Sequence, residues 1–177
     1  MNWKDEIVKL VYVKQALAAV DESGLWPHYL PNLGANQESI SQTEKAVGFK
    51  IDSEYSNFLQ LADGWNGFYQ TVDLFGTSDL AGSEKAQYAT SILNVIDDVA
   101  IKESGFQRQE LFPIAVTSQD KDIFAMTKPS SQTPGAVVWF SGGVVAKFPN
   151  FGEFFLAMVD YNREEIEYFK GSAPAKD

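Results

Sequence analysis

The chain has no cysteine and only one histidine among its 177 residues, which narrows the chemistry open to it. The absence of cysteine excludes a disulfide scaffold, a thiol nucleophile, a zinc–thiolate site and an iron–sulfur cluster. The one histidine, His28, lies in a loop rich in proline and aromatic residues. There a local hydrogen bond is the expected role and general-base catalysis the alternative. Gly-x-Ser-x-Gly, Gly-x-Gly-x-x-Gly and phosphate-loop motifs are all absent, so we expect no cofactor and no enzymatic activity.

Basic residues are also few: 14 Lys and Arg stand against 24 Asp and Glu, for a formal net charge of -10. Such a chain repels polyphosphate, so direct nucleic-acid binding is not expected. Acidic residues outnumber basic ones in both halves of the chain. The whole surface should therefore attract basic partners, the alternative being a solvated acidic surface without a partner.

Long apolar runs are missing too, since no run approaches the ~20 residues that span a bilayer. Charged side chains at Asp5, Glu6 and Lys9 interrupt the N-terminal apolar pattern, where a signal peptide needs an unbroken apolar stretch. We therefore expect a cytoplasmic protein.

What the chain does contain is typical of a globular domain, with 45% hydrophobic and 14% aromatic residues. Apolar periodicity predicts helices at residues 2–22, 36–47, 53–62, 92–102 and 151–170, and strands at 71–75, 111–116, 123–127, 136–140 and 144–148. Residues 76–89 are rich in Gly, Ser and Asp and predict a loop. This order indicates a single α+β domain, with a mainly antiparallel sheet of about four to six strands and helices packed around it. We expect an N-terminal helix in residues 1–24, which is part of the same domain, the α+β domain itself in 25–170 and a flexible tail in 171–177.

Closely spaced carboxylates are candidate metal ligands in any acidic chain. Asp120 and Asp122 flank Lys121 between two predicted strands. A calcium loop beginning at Asp120 would place Ala125 where glycine is needed and Ser131 where glutamate is needed. The pattern favours a solvated turn, and we expect no metal.

The segment from Gly34 to Trp65 resembles the SUKH superfamily of the Smi/Knr type. It opens with Gly34-Ala35 and a capped helix, passes through Gly48 to the helix of Tyr55, Phe58 and Leu59, and closes on the turn Gly64-Trp65. Later blocks match the family in the same order: Asp73 to Gly76, Phe112 to Ala115, Asp120 to Phe124, Gly135 to Trp139 and Phe151 to Leu156. The resemblance covers about residues 25–160.

Two positions depart from the family pattern. Ile51-Asp52 stands where the family often has Leu-Pro, and Asp63-Gly64 stands where it often has Asn-Gly. Aspartate can cap a helix and Asp-Gly can form the turn, so the expected fold is unaffected.

The resemblance implies a non-enzymatic protein-binding module. Bacterial members are typically immunity proteins that bind a polymorphic or contact-dependent toxin domain, often a nuclease. Yeast relatives regulate cell-wall synthesis through protein contacts, which implies a regulatory or scaffold role as the alternative. The acidic composition agrees with a basic toxin as partner.

We expect the partner surface to lie in loops at one end of the sheet. Its candidate residues are Trp65, Asn66, Asp73, Asp79, Asp120 and Asp122. Trp65 lies between two glycines, a pattern typical of a shaped turn that reaches the surface, the alternative being a lid over the core. The oligomeric state does not follow from the sequence.

Overall fold

A six-stranded antiparallel sheet forms the centre of the computed structural model, which describes residues 1–117 and 119–172. The strands pair in chain order, so each is hydrogen-bonded to its neighbours in sequence. They are β1 (Trp65–Tyr69), β2 (Val72–Leu74), β3 (Leu111–Thr117), β4 (Asp122–Thr127), β5 (Val137–Ser141) and β6 (Gly143–Phe148). A meander of this kind brings every second connection to the same end of the sheet.

Seven α-helices surround the sheet in the part of the chain that the structure describes. They are α1 (Trp3–Val20), α2 (Gln37–Val47), α3 (Ser53–Leu59), α4 (Thr77–Leu80), α5 (Glu84–Val95), α6 (Asp98–Ser104) and α7 (Phe151–Ser172), and a short 3-10 turn lies at Arg108–Glu110. The chain therefore has an α+β fold, as the sequence predicts.

The sheet separates two hydrophobic clusters. One joins α1, α3 and α7 to one sheet face, and the other joins α5 and α6 to the opposite face. Strand β4 shows why both faces are buried: Phe124 and Met126 enter the first cluster, while Ile123 and Ala125 enter the second. Because side chains alternate along a strand, a continuous apolar strand is stable only between two layers of helices.

The structure differs from the predicted elements in the middle of the chain. The prediction of a loop at residues 76–89 is wrong, because α4 and the first half of α5 occupy it. Ser83 caps α5 by accepting a hydrogen bond from the Ala86 amide, 3.2 Å away. The predicted helix at 92–102 is two helices, since Asp97 accepts from the Val99 amide at 2.7 Å and starts α6. Strand β1 was not predicted, because its glycines indicated a turn.

The end of the chain also differs from the prediction. Gly171 was expected to stop the last helix, but α7 continues to Ser172. The rest of the predicted tail, residues 173–177, lies outside the described residues.

Candidate functional site

The β1–β2, β3–β4 and β5–β6 connections lie together at one end of the sheet, which we call the hairpin end. Thr71 and Thr117 join two of these connections through a hydroxyl–hydroxyl hydrogen bond of 2.6 Å. Loops gathered on a rigid sheet in this way are a common location for binding residues.

An open groove of about 460 Å³ lies at this end, between the loop that follows α1 and the first two strands. We call it the loop groove. Its lining residues are Gly24, Leu25, Trp26, Pro27, Tyr29, Asn66, Thr71, Asp73 and Gln119.

Buried Asp21 shapes the loop wall of the groove. Its carboxylate accepts hydrogen bonds from the backbone amides of Leu25 at 2.8 Å and Trp26 at 3.0 Å, and lies 2.9 Å from His28 Nε2. Burial raises the pKa of Asp21, but the hydrogen bonds from Trp26, Leu25, His28 and Ser23 outweigh it and bring the pKa to about 2. The single histidine is thus engaged in holding the loop, as the sequence predicts.

Buried Lys14 links the loop wall of the groove to β1. Its side chain, on α1, is only 2% exposed, and Nζ donates hydrogen bonds to the carbonyl oxygens of Gly67 at 2.6 Å and Pro27 at 3.1 Å. Gly67 has φ +60°, and a Cβ there would lie 2.6 Å from the ring of Pro27. Lysine and glycine together therefore let the loop pack directly on β1.

Burial lowers the pKa of Lys14 to about 8, which predicts a pH dependence of stability. Between pH 8 and the ordinary lysine value of 10.5 the unfolded chain binds the proton and the folded chain does not, so this group adds stability as pH rises. We expect the free energy of unfolding of wild type minus that of Lys14→Met to rise by about 3 kcal/mol from pH 7 to 11. Urea unfolding at each pH measures it, with other titrations cancelling in the difference. If the difference in the free energy of unfolding between the two proteins did not change with pH, burial would not lower the pKa of Lys14.

Two of the six predicted partner residues, Asn66 and Asp73, line the loop groove. Lys85 on α5 joins them, with Nζ 2.9 Å from an oxygen of each side chain. The second carboxylate oxygen of Asp73 accepts from the Gly67 amide at 2.8 Å. Asn66 is exposed, whereas Asp73 is half-buried.

Of the other four predicted partner residues, two lie at the hairpin end and two make internal contacts. Asp120 and Asp122 lie at the hairpin end, at the β3–β4 connection, where Asp120 is exposed and Asp122 half-buried. Trp65 is fully buried in the core, and its indole N–H donates to the carbonyl of Tyr29 at 2.8 Å. Asp79 belongs to α4, where its carboxylate accepts from the Gly76 amide and the Ser83 hydroxyl. In this structure the side chains of Trp65 and Asp79 therefore make internal contacts and do not form part of the open surface.

Exposed apolar residues in the loop before α2 were missing from the predicted surface. Leu25, Tyr29, Leu30 and Leu33 are all more than half exposed, and Leu33 reaches 94%. The loop is held in place, because the Asn32 amide donates to the Gly64 carbonyl at 3.1 Å. Large apolar side chains presented on an ordered loop make this segment a further candidate for the partner surface. The available signal was the frequency of apolar residues among the prolines of residues 25–33, in an order that follows neither helix nor strand period.

A second concavity, of about 510 Å³, lies between β3 and α5. The rings of Phe49 and Phe112 meet in it with centroids 4.9 Å apart. Its two cations are bound to backbone: Arg108 to the carbonyls of Leu93 and Ile96, and Lys128 to that of Gln109. These hydrogen bonds satisfy carbonyl groups at the C-terminal end of α5 and in the adjacent turn, so we assign this cleft a structural role.

Within residues 1–117 and 119–172 no group of three or more His, Asp or Glu side chains is placed to hold a metal ion. None of the helices in the described part of the chain is long and apolar enough to cross a membrane.

The chain matches the SMI1 / KNR4 family (SUKH-1) over residues 34–157. The matched segment contains the whole sheet and α2 to α6, while α1, the exposed loop up to Leu33 and the part of α7 after residue 157 lie outside it. No curated protein matches the chain significantly. Because the match covers well over half of the sequence, the chain belongs to the SMI1 / KNR4 family (SUKH-1).

Proposed function

We propose that the chain is a non-enzymatic protein-binding module that acts as an immunity protein in the cytoplasm. It would neutralise a basic toxin domain of a polymorphic or contact-dependent system, such as a nuclease, by binding it directly. Membership of the SUKH-1 family supports a protein-binding role. The net charge of -10 supports a basic partner, because complementary charge speeds encounter and disfavours acidic competitors.

The observation that carries this proposal is the composition of the hairpin end and its adjoining loop. Exposed Leu25 and Tyr29 line the loop groove together with Gln119 and offer apolar anchors, and the next residue, Asp120, offers exposed negative charge. Interfaces combine such a small apolar centre with a polar rim, and the rim sets the association rate.

Binding and protection together test the proposal. The tagged chain is used to capture proteins from its source organism, and each captured protein is then expressed in cells with and without the chain. A stoichiometric basic partner that stops growth only when the chain is absent supports the immunity role. Capture of cell-wall or signalling enzymes that are harmless when expressed alone would replace it with the regulatory or scaffold role.

Charge reversal at the hairpin end tests the predicted surface. Asp120→Lys combined with Asp122→Lys should weaken protection, because both substitutions reverse charge where a basic partner is expected to approach. The matched control is Glu103→Lys with Glu153→Lys, which makes the same change in net charge at exposed positions near the end of β6, away from the hairpin end. Equal protection by both double variants would place the partner elsewhere.

Ionic strength gives a further prediction about the same complex. We expect the association rate constant with the basic partner to fall about tenfold or more between low salt and 0.5 M salt, because salt screens exposed charges. Stopped-flow mixing over a salt series measures it. A rate that does not change with salt would contradict electrostatic steering while leaving binding itself intact.

A further inference from the structure

Three half-buried aromatic rings from separate elements meet on the α7 side of the sheet. They are Tyr69 of β1, Trp139 of β5 and Tyr161 of α7. Their ring centroids are 6.1 Å apart for Tyr69–Trp139, 5.9 Å for Tyr69–Tyr161 and 6.1 Å for Trp139–Tyr161. We call this group the aromatic trio. Each ring packs against the other two, and one face of Trp139 also stacks on buried Phe124 at 5.0 Å, so a ligand can lie only on the ring surfaces that these contacts leave open.

Carboxylates lie beside the trio: Glu164 and Glu165 follow Tyr161 by three and four residues on α7 and therefore share its face of the helix. Burial raises the pKa of the Tyr69 hydroxyl to about 12, and the negative charges of Glu165, Glu164 and Asp122 add to that rise. Glu165 is fixed in place, because its two oxygens accept hydrogen bonds from Trp26 Nε1 at 3.2 Å and Gln70 Nε2 at 2.6 Å. Both donors are neutral, so the negative charge of Glu165 is positioned but not neutralised.

The part of the chain that the structure describes places no cation in an ion pair with this group. Among residues 1–117 and 119–172, the ion pairs do not include Glu164, Glu165 or Asp122. Two carboxylates nearby on α7 are paired: Asp160 lies 2.8 Å from Arg163, and Glu167 lies 2.9 Å from Lys170. Glu164 and Glu165 therefore differ from these two neighbours on α7.

We propose that the aromatic trio and its carboxylates bind an arginine or lysine side chain of a basic protein partner. This inference rests on the proposed function, because it takes that partner to be a protein. The faces of tyrosine and tryptophan rings attract cations, and adjacent carboxylates strengthen the attraction. A guanidinium group fits best, since it stacks flat on a ring while its N–H groups reach a carboxylate. The closed packing of the rings favours a side chain that approaches from another surface over a small cation that needs an enclosing cage.

A titration with a hexa-arginine peptide tests the site, followed through the indole N–H resonance of Trp139 in ¹H–¹⁵N NMR spectra. The Trp139→Phe variant assigns that resonance among those of the four tryptophans. The peptide should shift it in a saturable way, and Glu164→Gln and Tyr161→Leu should each raise the apparent dissociation constant about fivefold or more.

Two controls separate this site from general attraction to an acidic protein. Glu167→Gln removes the same charge from the same helix, and Tyr88→Leu removes a tyrosine from α5 on the opposite side of the sheet. Both should bind the peptide like wild type. An indole resonance that does not move, or equal weakening by Glu164→Gln and Glu167→Gln, would overturn the proposal.

The same variants distinguish this inference from the proposed function. If the captured basic partner binds and protection persists while Glu164→Gln has no effect on peptide or partner, the cation site is wrong and the immunity role stands. If the peptide binds in a Glu164-dependent way but no basic protein is bound, the immunity role is wrong and the cation site stands.

Discussion

Replacing Gly64 by alanine is expected to destabilise the protein by about 3 kcal/mol or more. Gly64 has φ +83°, a backbone conformation that L side chains rarely adopt. A Cβ at this position would also lie 2.5 Å from the Gly76 amide nitrogen and 2.9 Å from the Leu74 carbonyl oxygen. Both obstacles are backbone atoms of the segment that follows β1, so relief requires β2 to move. Urea unfolding of wild type and Gly64→Ala measures the loss.

Gly142→Ala is the matched control for backbone strain. Gly142 has φ +74°, but a Cβ there would meet nothing within 4 Å. We expect Gly142→Ala to lower the free energy of unfolding by only about 1 kcal/mol, which is the cost of the left-handed backbone conformation alone. If Gly64→Ala proves no worse than Gly142→Ala, the close approach of Gly64 to Gly76 does not determine stability. Because Asn32 binds the Gly64 carbonyl, a shifted Gly64 should also displace the exposed loop.

Removing the Trp3 side chain is expected to have an effect of similar size. Trp3 is 5% exposed, and its ring lies 5.7 Å from that of Phe58, 5.3 Å from Phe151 and 5.3 Å from Phe155. Trp3→Ala should lower the free energy of unfolding by about 3–5 kcal/mol, because it leaves a cavity among these rings. Thermal and urea unfolding give the value.

Tyr12→Ala on the same helix provides the comparison. Tyr12 is 67% exposed, so its removal should change stability by no more than about 0.5 kcal/mol. Similar losses for the two variants would mean that α1 is attached loosely and that Trp3 does not belong to the core. The expected difference would instead make α1, which lies outside the family-matched segment, a structural part of the domain.

The strands of the last third were predictable because their signals are local. Val137–Ser141 and Gly143–Phe148 are β-branched or aromatic runs joined at a glycine, and each pairs with its neighbour in sequence. Strand β1 was not predictable in this way. Gly64 and Gly67 read as turn residues, whereas in the structure their positive φ values permit close approaches to Gly76 and Pro27.

The candidate site was predicted only in part, for a related reason. Exposed Asn66 and half-buried Asp73 were identified from the family-like turn and strand, and both line the loop groove. The opposite wall is the loop at residues 24–29, which Asp21 holds in shape and Lys14 links to β1. Contacts between segments about 40 residues or more apart in sequence leave no periodic pattern, and so the groove became visible only in three dimensions.

The position of the first helix has a consequence for biosynthesis. The sheet pairs in chain order, so its hairpins can form as the strands leave the ribosome. Helix α1, by contrast, packs against α7, which is made after all six strands. Until α7 is complete, the apolar side of α1 that carries Trp3 and Leu10 can contact α3 but lacks its main partner, and it stays partly available to chaperones. Folding of this chain therefore ends where synthesis of the domain ends, when its last helix covers its first.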